Sequence, residues 1–113
     1  MTKRRRGTVA TGRVDLEFTW DCGGTSRLPN GLEYADTSHV VYSIVEGDPL
    51  SAAVRVENTS LMARDGWRVE IAAGGTMTCT ADAFLVMSTL DVREDGREAF
   101  RRTWEHRFPR DHV

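Results

Sequence analysis

The chain has little of what makes chemistry legible in a sequence. It carries two cysteines, Cys22 and Cys79, far apart in the chain. That excludes a disulfide-dense scaffold and leaves two reduced thiols in a cytosolic protein as the simpler reading, with a single disulfide as the other. Neither cysteine lies at metal-ligand spacing from His39, His106 or His112, so no metal and no cofactor is expected. No apolar run approaches the ~20 residues that a helical membrane span needs. No Gly-x-Ser-x-Gly elbow is present, and no glycine-rich loop leads into a helix. A phosphate-binding loop and a membrane helix drop out, and a serine hydrolase acting alone lacks a nucleophile and base that the sequence places together. The net charge is −2, from 15 basic and 17 acidic residues, which gives no global reason to bind nucleic acid or an acidic membrane. Lys3, Arg4, Arg5 and Arg6 are followed by no apolar stretch, so residues 1–12 are expected to be a flexible basic tail and not a secretory leader.

What the sequence does have is alternation. An apolar fraction of 40% in 113 residues suits one globular domain, here residues 13–113. Val14, Leu16, Phe18 and Trp20 alternate with polar neighbours, which predicts a strand with one apolar face. Asp21 to Ser38 breaks the pattern with Gly23-Gly24, Pro29 and Asn30-Gly31, a long connection in which Arg27-Leu28 and Leu32–Tyr34 pair briefly. His39 to Glu46 is apolar on both sides and reads as a strand covered on two faces. Gly47-Asp48-Pro49 ends it, and Ala52, Val54 and Val56 mark the next strand, with Asn58, Ser60 and Arg64-Asp65-Gly66 as breakers.

Three further runs follow. Trp67, Val69 and Ile71 lead through Gly74-Gly75 to Met77 and Cys79, one long strand bent or bulged at the glycines. Phe84, Val86, Leu90 and Val92 keep one parity in the next. Glu94-Asp95-Gly96 is the strongest hairpin turn in the chain, and Phe100, Trp104 and Phe108 fill the last strand before Pro109. Their spacing of four also fits a helix, but the hairpin turn and the proline decide for a strand. The expected fold is all-β, an antiparallel meander of six or seven strands forming a half-barrel or small β-sandwich.

Two features go beyond core patterning. Arg102 and His106 share the parity of Phe100, Trp104 and Phe108, which puts polar groups on a face otherwise apolar. They either line a cavity in a curled sheet, with Asp91 or Glu105 as acceptors, or extend past the rim of an edge strand. The rings of Trp20, Trp67, Trp104, Tyr34 and Tyr42 are many for one thin sheet. They either fill a core or form a patch for a partner. The candidate ligand or partner face is Trp67, Phe100, Arg102, Trp104 and His106; no residue is assigned a catalytic role.

Gly47-Asp48-Pro49-Leu50-Ser51-Ala52, Trp67-Arg68-Val69-Glu70, Met77-Thr78, Asp82 with Phe84, Leu90-Asp91, Phe100-Arg101-Arg102-Thr103-Trp104 and Pro109-Arg110-Asp111 together form a wider pattern. In order and spacing it resembles the extreme C-terminal region of the CocE/NonD family of hydrolases, relatives of the X-Pro dipeptidyl-peptidase (peptidase S15) group. The resemblance is strongest from about Gly47 to Val113 and looser from Thr11 to Glu46. Members of that family carry a Ser-Asp-His triad on an α/β-hydrolase domain, a helical cap and β-rich C-terminal parts, and cleave ester, acyl or X-Pro bonds. The part that holds the triad has no counterpart in this sequence, so no catalytic residue carries over. The resemblance implies a detached accessory β-domain, or a remnant of a longer hydrolase, that packs on a hydrolase catalytic domain or on itself. The alternative is a small apolar-ligand-binding half-barrel in which Arg102 and His106 orient a carboxylate.

Overall fold

The computed structural model describes residues 1–21 and 23–111. Within them the chain forms eight strands: β1 (Thr2–Thr8), β2 (Arg13–Trp20), β3 (Ser26–Arg27), β4 (Glu33–Val45), β5 (Asp48–Arg64), β6 (Trp67–Cys79), β7 (Ala83–Glu94) and β8 (Arg97–Pro109). All pair antiparallel in one sheet of order β1-β2-β4-β5-β6-β7-β8, with β3 beside β4, and the sheet stays open. The fold class is therefore the all-β meander that alternation predicts.

The molecule is one layer. Its extents are 54 × 29 × 24 Å. The 17 residues of β5 at about 3.3 Å each account for the long axis, and six inter-strand spacings of about 4.8 Å for the second. Twist and coiling lift the third axis well above the thickness of a pleat. The radius of gyration is 17.9 Å, against about 13 Å for a compact domain of this length. Among the described residues, only Ala83 is fully buried. The described residues place no second layer behind the sheet.

Turn chemistry sets the hairpins. Asp65-Gly66 and Asp95-Gly96 are two-residue loops with positive φ at both positions, 51° and 80° in the first and 50° and 78° in the second. Such loops match the right-handed twist of the strands they join. Asp95 also ties the neighbouring hairpin down: its Oδ1 accepts the Arg68 N–H at 2.9 Å and its own N–H donates to the Arg68 carbonyl at 2.7 Å.

Several local expectations change. Residues 2–8, expected as part of a tail, extend as edge strand β1 and pair along β2 from Thr2–Thr19 to Thr8–Arg13. Four successive cations are tolerated there because an edge strand leaves its side chains in water. The expected long connection is shorter, since β4 begins at Glu33 and pairs briefly with β3. Asn58 and Ser60 do not break β5, because Asn58 Oδ1 accepts the Ser38 hydroxyl across the ladder at 2.6 Å. Pro49 stays out of the ladder in an excursion of β5, where Ser51 Oγ accepts the Val45 N–H at 2.7 Å. At Gly74-Gly75 there is no bulge; β6 keeps register with β5 and β7 throughout. The irregularities lie instead between Ser43 and Val45 and between Val92 and Arg93.

Candidate functional site: the uncovered apolar face

Cross-strand partners point to the same side of a sheet, so the register assigns every side chain to one of two faces. Val54, Met77 and Val86 are successive partners across β5, β6 and β7. The same face carries Leu16 and Tyr42 on β2 and β4, and Phe100, Trp104 and Phe108 on β8. Along β5–β7 its charged positions among the described residues are Arg64 and Glu94, each at the end of a strand. Other polar and charged groups sit at the margins: Lys3 and Arg5 on β1, Asp36 near the start of β4, Arg97, Arg102 and His106 on β8.

The opposite face is dressed for water. Arg68 Nε lies 2.6 Å from Glu70 Oε1, Arg13 Nε 2.9 Å from Asp15 Oδ1, and Arg93 Nε 3.6 Å from Asp91 Oδ1. Each pair joins residues two apart on one strand, the spacing that returns to the same face. Glu17 on β2 bonds the His39 ring on β4, a pairing sequence reading missed. Glu17 was legible as polar on its own strand, but His39 opens a run apolar on both sides, and only the β2–β4 register brings the two together. The His39 hydrogen bond holds the Glu17 carboxyl below the usual glutamate range, with Arg6 and Arg4 adding attraction.

All five candidate residues fall on the apolar face, but they are not one cluster. Phe100, Arg102, Trp104 and His106 run along β8 opposite Val92, Leu90, Ser88 and Val86. Trp67 opens β6 opposite Arg64, two strands away and beyond the end of the β7 pairing. Their rings are open to solvent: Trp67 is 41% exposed, Phe100 45% and Trp104 38%. Arg102 lies over the Trp104 ring, 5.1 Å from its centroid, and His106 rests against Phe108 at 4.3 Å. Both polar groups are thus held by rings two residues along their own strand. Asp91 and Glu105 do not serve them as acceptors, because both lie on the opposite face, across from Arg101 and Met87.

A second aromatic group sits at the other side of the same face. Phe18 stacks on Trp20 at 5.8 Å, meets Tyr42 edge-on at 6.1 Å and carries the Lys3 ammonium 5.8 Å from its centroid. Between the two groups lies a depression of about 190 Å³ lined by Tyr42, Val54, Met77, Cys79 and Phe84 among others. Cys79 is a free thiol there, its Sγ 3.6 Å from the Leu50 carbonyl; Cys22 lies outside the described residues, and with it the question of a disulfide. The larger depressions, about 440 and 360 Å³, are lined mainly by residues of the charged face such as Thr76, Met87 and Glu105, or Thr37, Thr59 and Arg68.

Among the described residues, no three His, Cys, Asp or Glu side chains gather as a metal site, and no helix is long and apolar enough to cross a membrane. Comparison with protein-family models, with curated proteins and with solved structures gives no match.

Proposed function

We propose that this chain is a non-catalytic accessory β-domain, similar to the C-terminal part of CocE/NonD hydrolases, that acts by packing its apolar face on another polypeptide. One observation carries the reading. Among the described residues, an apolar face running from β2 to β8 has no layer behind it, while the other face carries the ion pairs Arg13–Asp15, Arg68–Glu70 and Arg93–Asp91. A sheet with one apolar face is stable only when that face is covered. The aromatic and arginine content of the face also matches what interfaces favour. The partner class comes from the family resemblance: a triad-bearing hydrolase segment, or the chain itself. The setting we infer is cytoplasmic, on the strength of two distant cysteines.

The test mixes the chain with the triad-bearing segment of a CocE/NonD hydrolase trimmed of its own C-terminal region. The expected outcome is that the apolar face is covered, by that segment or by a second copy, and that the chain alone cleaves no activated ester above buffer. A chain that stays single with its apolar face open in that mixture overturns the reading.

A further inference from the structure

We infer that the missing layer is a second copy of this chain, so that two sheets pack apolar face to apolar face as a two-layer β-sandwich. This rests on the packing reading above and names the occupant. The argument is one of area. The chain exposes 8298 Å². A compact monomer of 12.7 kDa exposes about 6,200 Å² on the usual mass scaling, so this one carries an excess of roughly 2,000 Å². Two chains each hiding that excess bury roughly 4,000 Å² together, inside the range of about 2,000–5,000 Å² that obligate homodimers occupy. Covering one face would bring the chain to the exposure of an ordinary folded protein.

The distribution of charge fits the same arrangement. The middle of the face, on β5, β6 and β7, has no charged side chain short of Arg64 and Glu94 at the strand ends, and the cations stand at its margins on β1 and β8. That is an apolar centre with a polar rim. A copy of the chain presents a face of the same 54 × 29 Å span with the same uncharged strip. A two-fold axis makes the contact self-complementary and closes the assembly at two. Growth through the sheet edges is opposed, because β1 brings Lys3, Arg4, Arg5 and Arg6 toward a β8 in which Arg97, Arg101, Arg102 and Arg107 outnumber Glu98 and Glu105.

The experiment uses the full chain. Sedimentation equilibrium is expected to give twice 12.7 kDa. Because dimerisation then stabilises the fold, each tenfold dilution lowers the Tm by about 3 °C. Face specificity is read in a Cys22→Ser, Cys79→Ser background carrying either Ser88→Cys, on the apolar face of β7, or Thr89→Cys, its neighbour on the charged face. Maleimide labelling at position 88 is expected to be slower than at 89 by about tenfold or more in buffer, and equal in denaturant.

A single-chain mass with a dilution-independent Tm overturns the proposal. If position 88 is then covered only when the hydrolase segment is added, the second copy is refuted and the accessory reading stands. If position 88 stays open in both cases, both fall. A dimer or larger assembly that labels freely at position 88 associates through its edges, which also overturns the proposal.

Discussion

Replacing Gly74 by alanine should destabilise this sheet, and the sign should reverse once Thr89 is shortened. Gly74 sits mid-strand on β6 directly opposite Thr89 of β7, with no positive φ to demand glycine. A Cβ built there lies 2.9 Å from Thr89 Oγ1 and 3.8 Å from the Val56 carbonyl oxygen. Ordinary contact starts at 3.4 Å, so the hydroxyl must retreat by about 0.5 Å or its χ1 must turn, which costs about 1–2 kcal/mol. Against this, Gly→Ala in an allowed conformation gains about 0.4–1 kcal/mol by restricting the unfolded chain. The net for Gly74→Ala is a loss of up to about 1.6 kcal/mol, centred near about 0.8. In a Thr89→Ala background the obstruction is gone, and the same change should stabilise by about 0.4–1 kcal/mol. Urea unfolding of the four variants at one protomer concentration measures the coupling, expected at about 1–2 kcal/mol. Additivity within about 0.3 kcal/mol, or a stabilising Gly74→Ala with Thr89 intact, refutes the idea that close approach is why glycine stands there.

Two other outcomes are expected. Gly96→Ala, at φ 78° in the β7–β8 hairpin, should cost about 1–2 kcal/mol in urea unfolding, whereas Gly7→Ala on edge strand β1, with nothing near its Cβ, should change stability by less than about 0.5 kcal/mol. Because the folded state depresses the Glu17 pKa, its contribution is complete above the unfolded value of about 4.3 and is lost as pH falls through the lower folded value; the Glu17 carboxyl ¹³C titration midpoint should rise in a His39→Leu variant, which has no donor, and an unchanged midpoint would remove the His39 hydrogen bond as the cause.

Strand identity was legible because period-two alternation is a local property. Phe84 and Phe108 were each assigned a parity from their own neighbours, and the register sets them opposite one another. Asp95-Gly96 was legible as a hairpin because few dipeptides tolerate two positive φ angles in succession. Misread features were those decided across the ladder. Asn58 looks like a breaker until Ser38 is placed beside it, and Gly74-Gly75 looks like a bulge until Thr89 is seen to need the space. The basic run Lys3–Arg6 reads as a tail because charge density is a statement about solvent, and an edge strand is solvated too.

The candidate site divides along the same line. Arg102 and His106 stood out because a closed core would not hold charge at their parity. The oddity came from a hidden premise, that the apolar side of the last strand is core at all. All 13 residues of β8 are exposed, and among the described residues no strand pairs with its outer edge. At a free edge, a guanidinium lying along an indole and an imidazole against a phenyl ring keep their charged or polar ends in water while shielding the ring beneath. Marginal position therefore explains both residues without a ligand. It also moves the functional weight inward, to Val54, Met77 and Val86, whose apolar surface has no polar end to turn outward. No single residue there is unusual. Their alignment across three strands is what makes the face, and a property of three registers at once is invisible to any window of sequence.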